Sequence, residues 1–272
     1  MKVSVAMITY QHEKFVREAL DGILMQETDF DFEIIIGEDA SKDKTADIIR
    51  EYITKHPNKF RVTFHDTNIG MMPNFCNTLN ACKGEYIALC EGDDYWVNKN
   101  KLQKQVDFLE ADRDFSGCFH NVMVQDERHT QLESKPWRTY DRDVFNLKDT
   151  FSKTALFHTC SFVFRKSALE TPEWFMNVKS GDMSLFAIVA SKGNLKLLPG
   201  NMSVYRKNDG GVTHNEQLKD YHSNRLKLWN FVNQHYDNKY LKDIEKVMAF
   251  HKSELRKFDT SLKGKLKRKF NI

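Results

Sequence analysis

Tyr86-Ile87-Ala88-Leu89-Cys90-Glu91-Gly92-Asp93-Asp94-Tyr95-Trp96 decides how this chain reads. Its first five residues form an uninterrupted apolar run bounded by a glycine turn signal, the pattern of a short, buried, parallel strand. Open α/β sheets bind ligands just beyond the carboxyl ends of their strands. Here that position carries two adjacent aspartates with no cation beside them in sequence. Such a pair is either a solvated Asp-Asp turn or a site for something positive. A hard divalent cation carrying phosphate fits the second reading, because Mg²⁺-type ions take one or two carboxylates plus phosphate oxygens.

The residues before this stretch repeat one unit. Val3 to Thr9 is β-branched and strand-like, and Phe15, Val16, Ala19, Leu20, Ile23 and Leu24 then recur at helical spacing. Phe32 to Gly37, with three consecutive isoleucines, reads as a buried strand. Ser41 and Asp43 are both credible N-caps for a helix carrying Ala46, Ile49, Tyr52 and Ile53. Arg61 to His65 gives a third strand, Pro73 to Cys82 a helix, and Leu102, Val106 and Leu109 a further helix after the opening stretch. Four strand–helix alternations predict an α/β fold with a mostly parallel sheet and right-handed crossovers. No GxGxxG follows the first strand and no GxxxxGK[ST] occurs, which argues against dinucleotide and P-loop folds.

The second half is less regular. Phe115 to Phe119 and Thr159 to Phe164 are strand-like, and Gln125 to Thr150 is polar without a clear period, as in a long excursion or lid. Asp182 to Ala190 reads as a helix after Ser180-Gly181. Leu195 to Leu198 and Met202 to Arg206 read as short strands, and from His214 onward the pattern is helical.

Composition sets outer bounds. In 272 residues, 29% charged and 40% hydrophobic, the balance is that of a globular protein with a sizeable core. No apolar run approaches a membrane span. The chain opens directly on a strand without a leader-like segment, and its five cysteines show no CxxC spacing. Both features point to a cytoplasmic protein with reduced thiols. The formal charge is +3, unevenly spread: Lys246 to Ile272 holds nine Lys/Arg against Glu254 and Asp259. Phe258, Leu262, Leu266 and Phe270 recur there every four residues among Lys263, Lys265, Lys267, Arg268 and Lys269. This basic amphipathic pattern suits either an anionic membrane surface or a helix packed on the body. No nucleic-acid-binding module is recognisable, so no nucleic-acid partner is expected.

Four groups fall where a nucleotide-sugar site would need them. Thr9-Tyr10 ends the first strand, where an aromatic ring can stack on a base or simply pack. Glu38-Asp39-Ala40-Ser41 ends the second, where a carboxylate can hold a nucleoside or the residues can merely cap a helix. Asp93-Asp94 is the third group. Gly181-Asp182 is the fourth, a carboxylate kept ionised by the helix it opens or an ordinary first-turn Asp.

Their order carries a resemblance. Val3-Ser4-Val5-Ala6-Met7-Ile8-Thr9-Tyr10 resembles the opening of family 2 glycosyltransferases with the GT-A fold. Glu38-Asp39-Ala40-Ser41-Lys42-Asp43-Lys44-Thr45 is similar to that family's D-D-x-S-x-D-x-T. Glu91-Gly92-Asp93-Asp94-Tyr95-Trp96 is similar to its aspartate-pair metal motif, and Ser180-Gly181-Asp182 to its acceptor-side aspartate. Glu38 departs from the first Asp of the usual pair, and Gln11 stands where Asn is common.

The resemblance implies a Rossmann-like GT-A sheet with a helical C-terminal extension. It divides the chain into a nucleotide-sugar half (1–112), an acceptor half (113–212) and the extension (213–272). It further implies inverting transfer of a sugar from a nucleoside-diphosphate sugar, commonly UDP, to a glycan or lipid-linked acceptor. By position, Thr9, Tyr10 and Asp39 bind the nucleoside, Asp93 the ribose or diphosphate region, and Asp94 a Mg²⁺ or Mn²⁺ ion. Asp182 is the general base and Arg206 meets the leaving diphosphate. The rival readings are a nucleotidyltransferase, whose glycine-rich basic phosphate loop is missing here, and a non-catalytic nucleotide-sugar-binding protein.

Overall fold

The computed structural model describes residues 1–128, 134–211 and 216–270, the last twelve of these by backbone alone. Strands β1 (Val3–Thr9), β2 (Phe32–Glu38), β3 (Phe60–Phe64) and β4 (Tyr86–Leu89) lie parallel in the order β3-β2-β1-β4. Helices α1 (Val16–Leu24), α2 (Thr45–Lys55) and α3 (Met71–Ala81) make the crossovers, and α4 (Lys101–Ala111) follows β4 and the short strand β5 (Tyr95–Trp96). β1 and β2 run in register from Val3↔Phe32 to Thr9↔Glu38, so they end flush at one edge of the sheet.

Both faces of these strands are covered, which is why they read as continuous apolar runs. Alternation still sorts their side chains. Val3, Val5, Met7, Ile34, Ile36 and Ala88 join one core layer with Val16, Leu20, Ile49 and Leu102 from α1, α2 and α4. Ala6, Ile35, Ile87 and Leu89 join the other with Phe75 and Leu79 of α3. Fully burying each such aliphatic side chain contributes about 1.5–3 kcal/mol.

Beyond β4 the sheet becomes mixed. β6 (Phe115–Asp126), β7 (Ser134–Pro136), β8 (Val144–Phe145), β9 (Val163–Arg165) and β10 (Asn194–Lys207) extend the order to β3-β2-β1-β4-β9-β6-β10-β5. β9 runs antiparallel between β4 and β6, β10 runs parallel to β6, and β5 closes the far edge against β10. Helix α6 (Gly181–Ala190) is apolar nearly all round and almost wholly buried, as such helices must be. It packs between the sheet and helix α7 (Leu218–His235), and α8 (Leu241–Phe270) lies on α7.

Several local expectations change. The helix after β2 starts at Thr45, where Asp43 accepts the Thr45 backbone N–H at 3.0 Å; Ser41 instead accepts the N–H of Gln11 at 2.9 Å. The described part of the polar stretch 125–150 is ordered. β7 and β8 pair with β6 and β10, and α5 (Leu147–Thr150) is capped reciprocally by Asn146 and Asp149. The two short strands expected after Leu195 are one strand, β10, whose register with β6 shifts near Asn201.

Residues 246–272 are not all free tail, because Val247, Met248 and His251 are buried against the body. The side chains of Leu262, Leu266, Phe270 and Lys263 to Lys269 lie outside the described residues. Among the described residues, no helix is long and apolar enough to cross a membrane.

Candidate active site

The flush ends of β1 and β2, with the turn that follows β4, define the site. Past Thr9 the chain turns through Gln11, which adopts φ 56°, and the turn is tied to the β2–α2 loop. His12 donates its backbone N–H to Thr45 Oγ1 at 2.8 Å, alongside the Gln11–Ser41 bond. Thr9 is buried, with its hydroxyl 3.2 Å from His12 Nδ1, and Tyr10 is 39% exposed. Gly92 is required by this close approach: a Cβ there would lie 2.6 Å from Thr9 Oγ1 and 2.8 Å from His12 Nδ1.

Asp39 comes to the same edge, but both of its oxygens are engaged. Oδ1 accepts the Ile69 N–H at 2.7 Å and Oδ2 the Gly70 N–H at 3.0 Å, which fixes the loop ahead of α3. Glu38 is buried and accepts the Ser41 N–H at 2.8 Å.

The two aspartates of the opening stretch face different surroundings. Asp94 is 2% exposed and accepts the Arg206 backbone N–H at 2.8 Å. Burial, then the charges of Asp93 and Glu91, hold its pKa well above the ordinary carboxylate range. Asp93 keeps 20% of its side chain exposed, accepts from Asn208 Nδ2 at 2.9 Å and lies 3.8 Å from His12 Nε2. Glu91 accepts the Thr159 hydroxyl at 2.7 Å. It is pushed up to about 7, first by burial, with Asp93 and Asp182 adding negative charge against the pull of Thr159.

Asp182 is half-buried in the first turn of α6. The absent side chain of Gly181 seats this helix end on α3, since a Cβ would meet Met72 Sδ at 2.7 Å and Phe75 Cδ1 at 3.3 Å. Glu91 thus feels the charges of both Asp93, in the turn after β4, and Asp182, on α6.

Arg206, expected at a diphosphate, is enclosed. Its side chain is 3% exposed, and it ion-pairs with Glu18 and with Glu127 Oε1, the latter at 3.1 Å. It donates to the Asp93 carbonyl at 3.0 Å and lies 4.1 Å from the Tyr95 ring centroid. A guanidinium already neutralised by two carboxylates and shielded by rings is a clamp between β10, α1 and the β4–β5 turn. Asp94, expected to hold a metal ion, is likewise enclosed, with one oxygen taken by the β10 backbone.

Sequence reasoning brought together Thr9, Tyr10, Asp39, Asp93 and Asp182. It gave no role to Glu91, His12, Asn208 or Thr159. Glu91 was within reach, being adjacent to the glycine of the opening stretch. The others depend on loops that only the fold brings near. Among the described residues, no three His, Cys, Asp or Glu side chains converge tightly enough to form a metal cluster by themselves.

Comparison with known proteins agrees with this architecture. The chain is 38% identical over 229 residues to the uncharacterized protein Rv1520 of Mycobacterium tuberculosis, covering 84% of this chain and 63% of that protein. It is 26% identical over 219 residues to the uncharacterized glycosyltransferase EpsJ of Bacillus subtilis, covering 78% and 62% respectively. The chain therefore spans less than two thirds of these relatives. Among solved structures it is similar to S. aureus TarS 1-349 in complex with UDP-GlcNAc, with a TM-score of 0.64 at 19% identity, covering 85% of this chain and 66% of that one. The mannosyltransferase PcManGT from Pyrobaculum calidifontis, in complex with GDP-Man and Mn2+, aligns with a TM-score of 0.59 at 18% identity, covering 92% and 69%. The sheet flanked by helices is the GT-A arrangement. The description Glycosyl transferase family 2 matches residues 4–171, and the chain belongs to that family.

Proposed function

We propose that the chain transfers a sugar from a UDP-sugar to a hydroxyl of a glycan or lipid-linked acceptor, with inversion at the anomeric carbon. The observation that carries this reading is the gathering of Glu91, Asp93 and Asp182 beside the strand ends that also bear Thr9, Tyr10 and Asp39. Residues 1–112 serve the donor, 113–212 the acceptor, and 213–272 extend the fold.

On the donor side, the exposed Tyr10 ring stacks on the base, Thr9 and Asp39 border the nucleoside, and Asp93 takes the ribose–diphosphate region. A divalent cation fits the residues present, because the carboxylates of Glu91, Asp93 and Asp182 lie within one another's field. Mg²⁺ or Mn²⁺ would be held by Asp93 with Glu91 beside it. The enclosed Asp94, on which the sequence alone put this role, holds β10 instead. When bound, such an ion neutralises charge on the diphosphate as it leaves. Arg206 acts as the clamp beneath this site and not as a diphosphate ligand.

Asp182 accepts the proton of the acceptor hydroxyl. The hydroxyl oxygen forms its bond to the anomeric carbon while the bond from that carbon to the diphosphate oxygen breaks on the opposite face. The transition state is oxocarbenium-like, by analogy with glycoside hydrolysis. Beyond the packed part of α8, the basic run Lys263 to Lys269 contacts anionic lipid at the inner face of the membrane.

Calorimetry with UDP, with and without Mn²⁺, tests the reading together with UDP release from UDP-sugars in the absence of acceptor. Mn²⁺-dependent binding with slow donor hydrolysis is the expected result. No UDP binding would overturn it, and binding without any turnover across a donor and acceptor panel would favour a non-catalytic binding protein.

A further inference from the structure

Next to the carboxylates the wall of the site changes from charged to aromatic. Three rings from separate segments meet there: Trp137 just past β7, His158 before the turn Thr159–Ser161, and Tyr205 in β10. His158 and Tyr205 stack with centroids 3.7 Å apart and planes at 18°. Trp137 meets His158 edge-on at 4.3 Å and 71°. The strands set this arrangement. Tyr205 pairs with Val124 across β6 and β10, Trp137 donates its backbone N–H to Val122 O at 2.9 Å, and Trp137 and Tyr205 pack on Val122, Val124 and Cys160.

The trio adjoins the carboxylates on two sides. Thr159, the neighbour of His158, donates to Glu91. Burial, then the charges of Asp94, Asp93 and Asp182, push the Tyr205 phenol up, so its ring lies within the field of the site. None of the three side chains is fully buried as a residue. Trp137 Nε1 and His158 Nε2 are enclosed and have no hydrogen-bond partner among the described residues, as is also true of Trp229 Nε1 in the core. Burial, with Arg138 and Lys207 nearby, holds His158 down at about 3, so the imidazole is neutral and suited to a neutral hydroxyl.

A partly open aromatic wall beside a group of carboxylates has the chemistry of a sugar subsite. The C–H face of a pyranose packs on rings, and its hydroxyls both donate and accept. Thr9, Tyr10 and Asp39 lie at the ends of β1 and β2. We propose that Trp137, His158 and Tyr205 form the platform for the acceptor's terminal pyranose, holding its hydroxyl toward Asp182. This rests on the glycosyl-transfer reading and names residues for its acceptor side.

The test uses the full chain loaded with UDP and Mn²⁺, probed by saturation-transfer NMR with methyl β-glucopyranoside, methyl α-mannopyranoside and methyl N-acetyl-β-glucosaminide. At least one pyranoside binds the wild type saturably. Trp137→Ala weakens that binding at least tenfold, Trp137→Phe less, and the UDP affinity of both variants stays within twofold of wild type. Equal pyranoside binding by Trp137→Ala, or no pyranoside binding by a wild type that does bind UDP, would overturn the platform. So would parallel loss of UDP binding in both variants, which marks a structural role. Failure of the wild type to bind UDP would instead overturn the glycosyl-transfer reading.

Discussion

The Asp94 carboxylate accepts the backbone N–H of Arg206 at 2.8 Å, joining residues 112 positions apart in the chain. The bond ties the turn after β4 to the C-terminal end of β10, and it sets two adjacent aspartates in different surroundings. Removing an enclosed acceptor and stranding its donor costs about 1–3 kcal/mol. Asp94→Ala should therefore lower the melting temperature measurably. Asp93→Ala should leave the melting temperature near wild type and remove the Mn²⁺ dependence of UDP binding. Melting curves and calorimetry on both variants check this, and the reverse pattern would return the metal to Asp94.

Asp182→Asn keeps the size of the side chain but removes its basicity. Transfer should fall by about 10²–10⁴-fold, while UDP affinity stays within twofold. Product formation at the wild-type rate would remove Asp182 from its role as base.

Lys101 is fully buried at the start of α4, with Nζ 4.1 Å from the Trp96 ring centroid and no hydrogen-bond partner. Burial pulls it down from 10.5 to about 8, partly offset by the neighbouring thiols Cys90, Cys160 and Cys118. Below about pH 8 the folded and unfolded chains both carry the proton, and the full penalty of burial applies. Between about 8 and 10.5 the unfolded chain holds a proton that the folded chain has released, so this contribution to stability rises with pH. Lys101→Met should raise stability at pH 7 by on the order of 2–3 kcal/mol, and the gain should shrink towards pH 10. Urea unfolding of both proteins at pH 7 and pH 9.5 measures the difference. A constant gain would mean that Lys101 is not titrating in this range.

The packed part of α8 includes Ile244, Val247, Met248 and His251. Deleting residues 259–272 should leave the melting temperature close to that of the full chain, whereas deleting 246–272 should destabilise it. The shorter deletion should also abolish flotation with vesicles containing anionic lipid, since each cation at such a surface contributes about 1 kcal/mol. Equal flotation of the two proteins would end the membrane assignment.

The parallel half was legible because its strands are buried on both faces. The run Ile34-Ile35-Ile36 and the alternation of Val3, Val5 and Met7 with Ala6 leave little choice of structure. The partition of Asp93 and Asp94 was not legible. The strand has ended at Leu89, so alternation no longer dictates direction, and the deciding N–H arrives from Arg206. Arg206 itself looked like a free cation because Glu18 and Glu127 are remote in sequence. Asp39 reads as a ligand group until Ile69 and Gly70 close on its oxygens. Trp137 and His158 sit in segments without periodicity, and only strand register brings them together.

β9 is three residues long, yet it hydrogen-bonds to β4 on one side and β6 on the other. Its Arg165 donates to the Phe115 carbonyl and the Tyr86 hydroxyl, both at 2.9 Å, fastening the same seam from the side chain. The parallel strands and the mixed strands beyond β4 are therefore one continuous sheet. Asp93, in the turn after β4, and Asp182, on α6, are carried by that one frame, like two posts in one foundation.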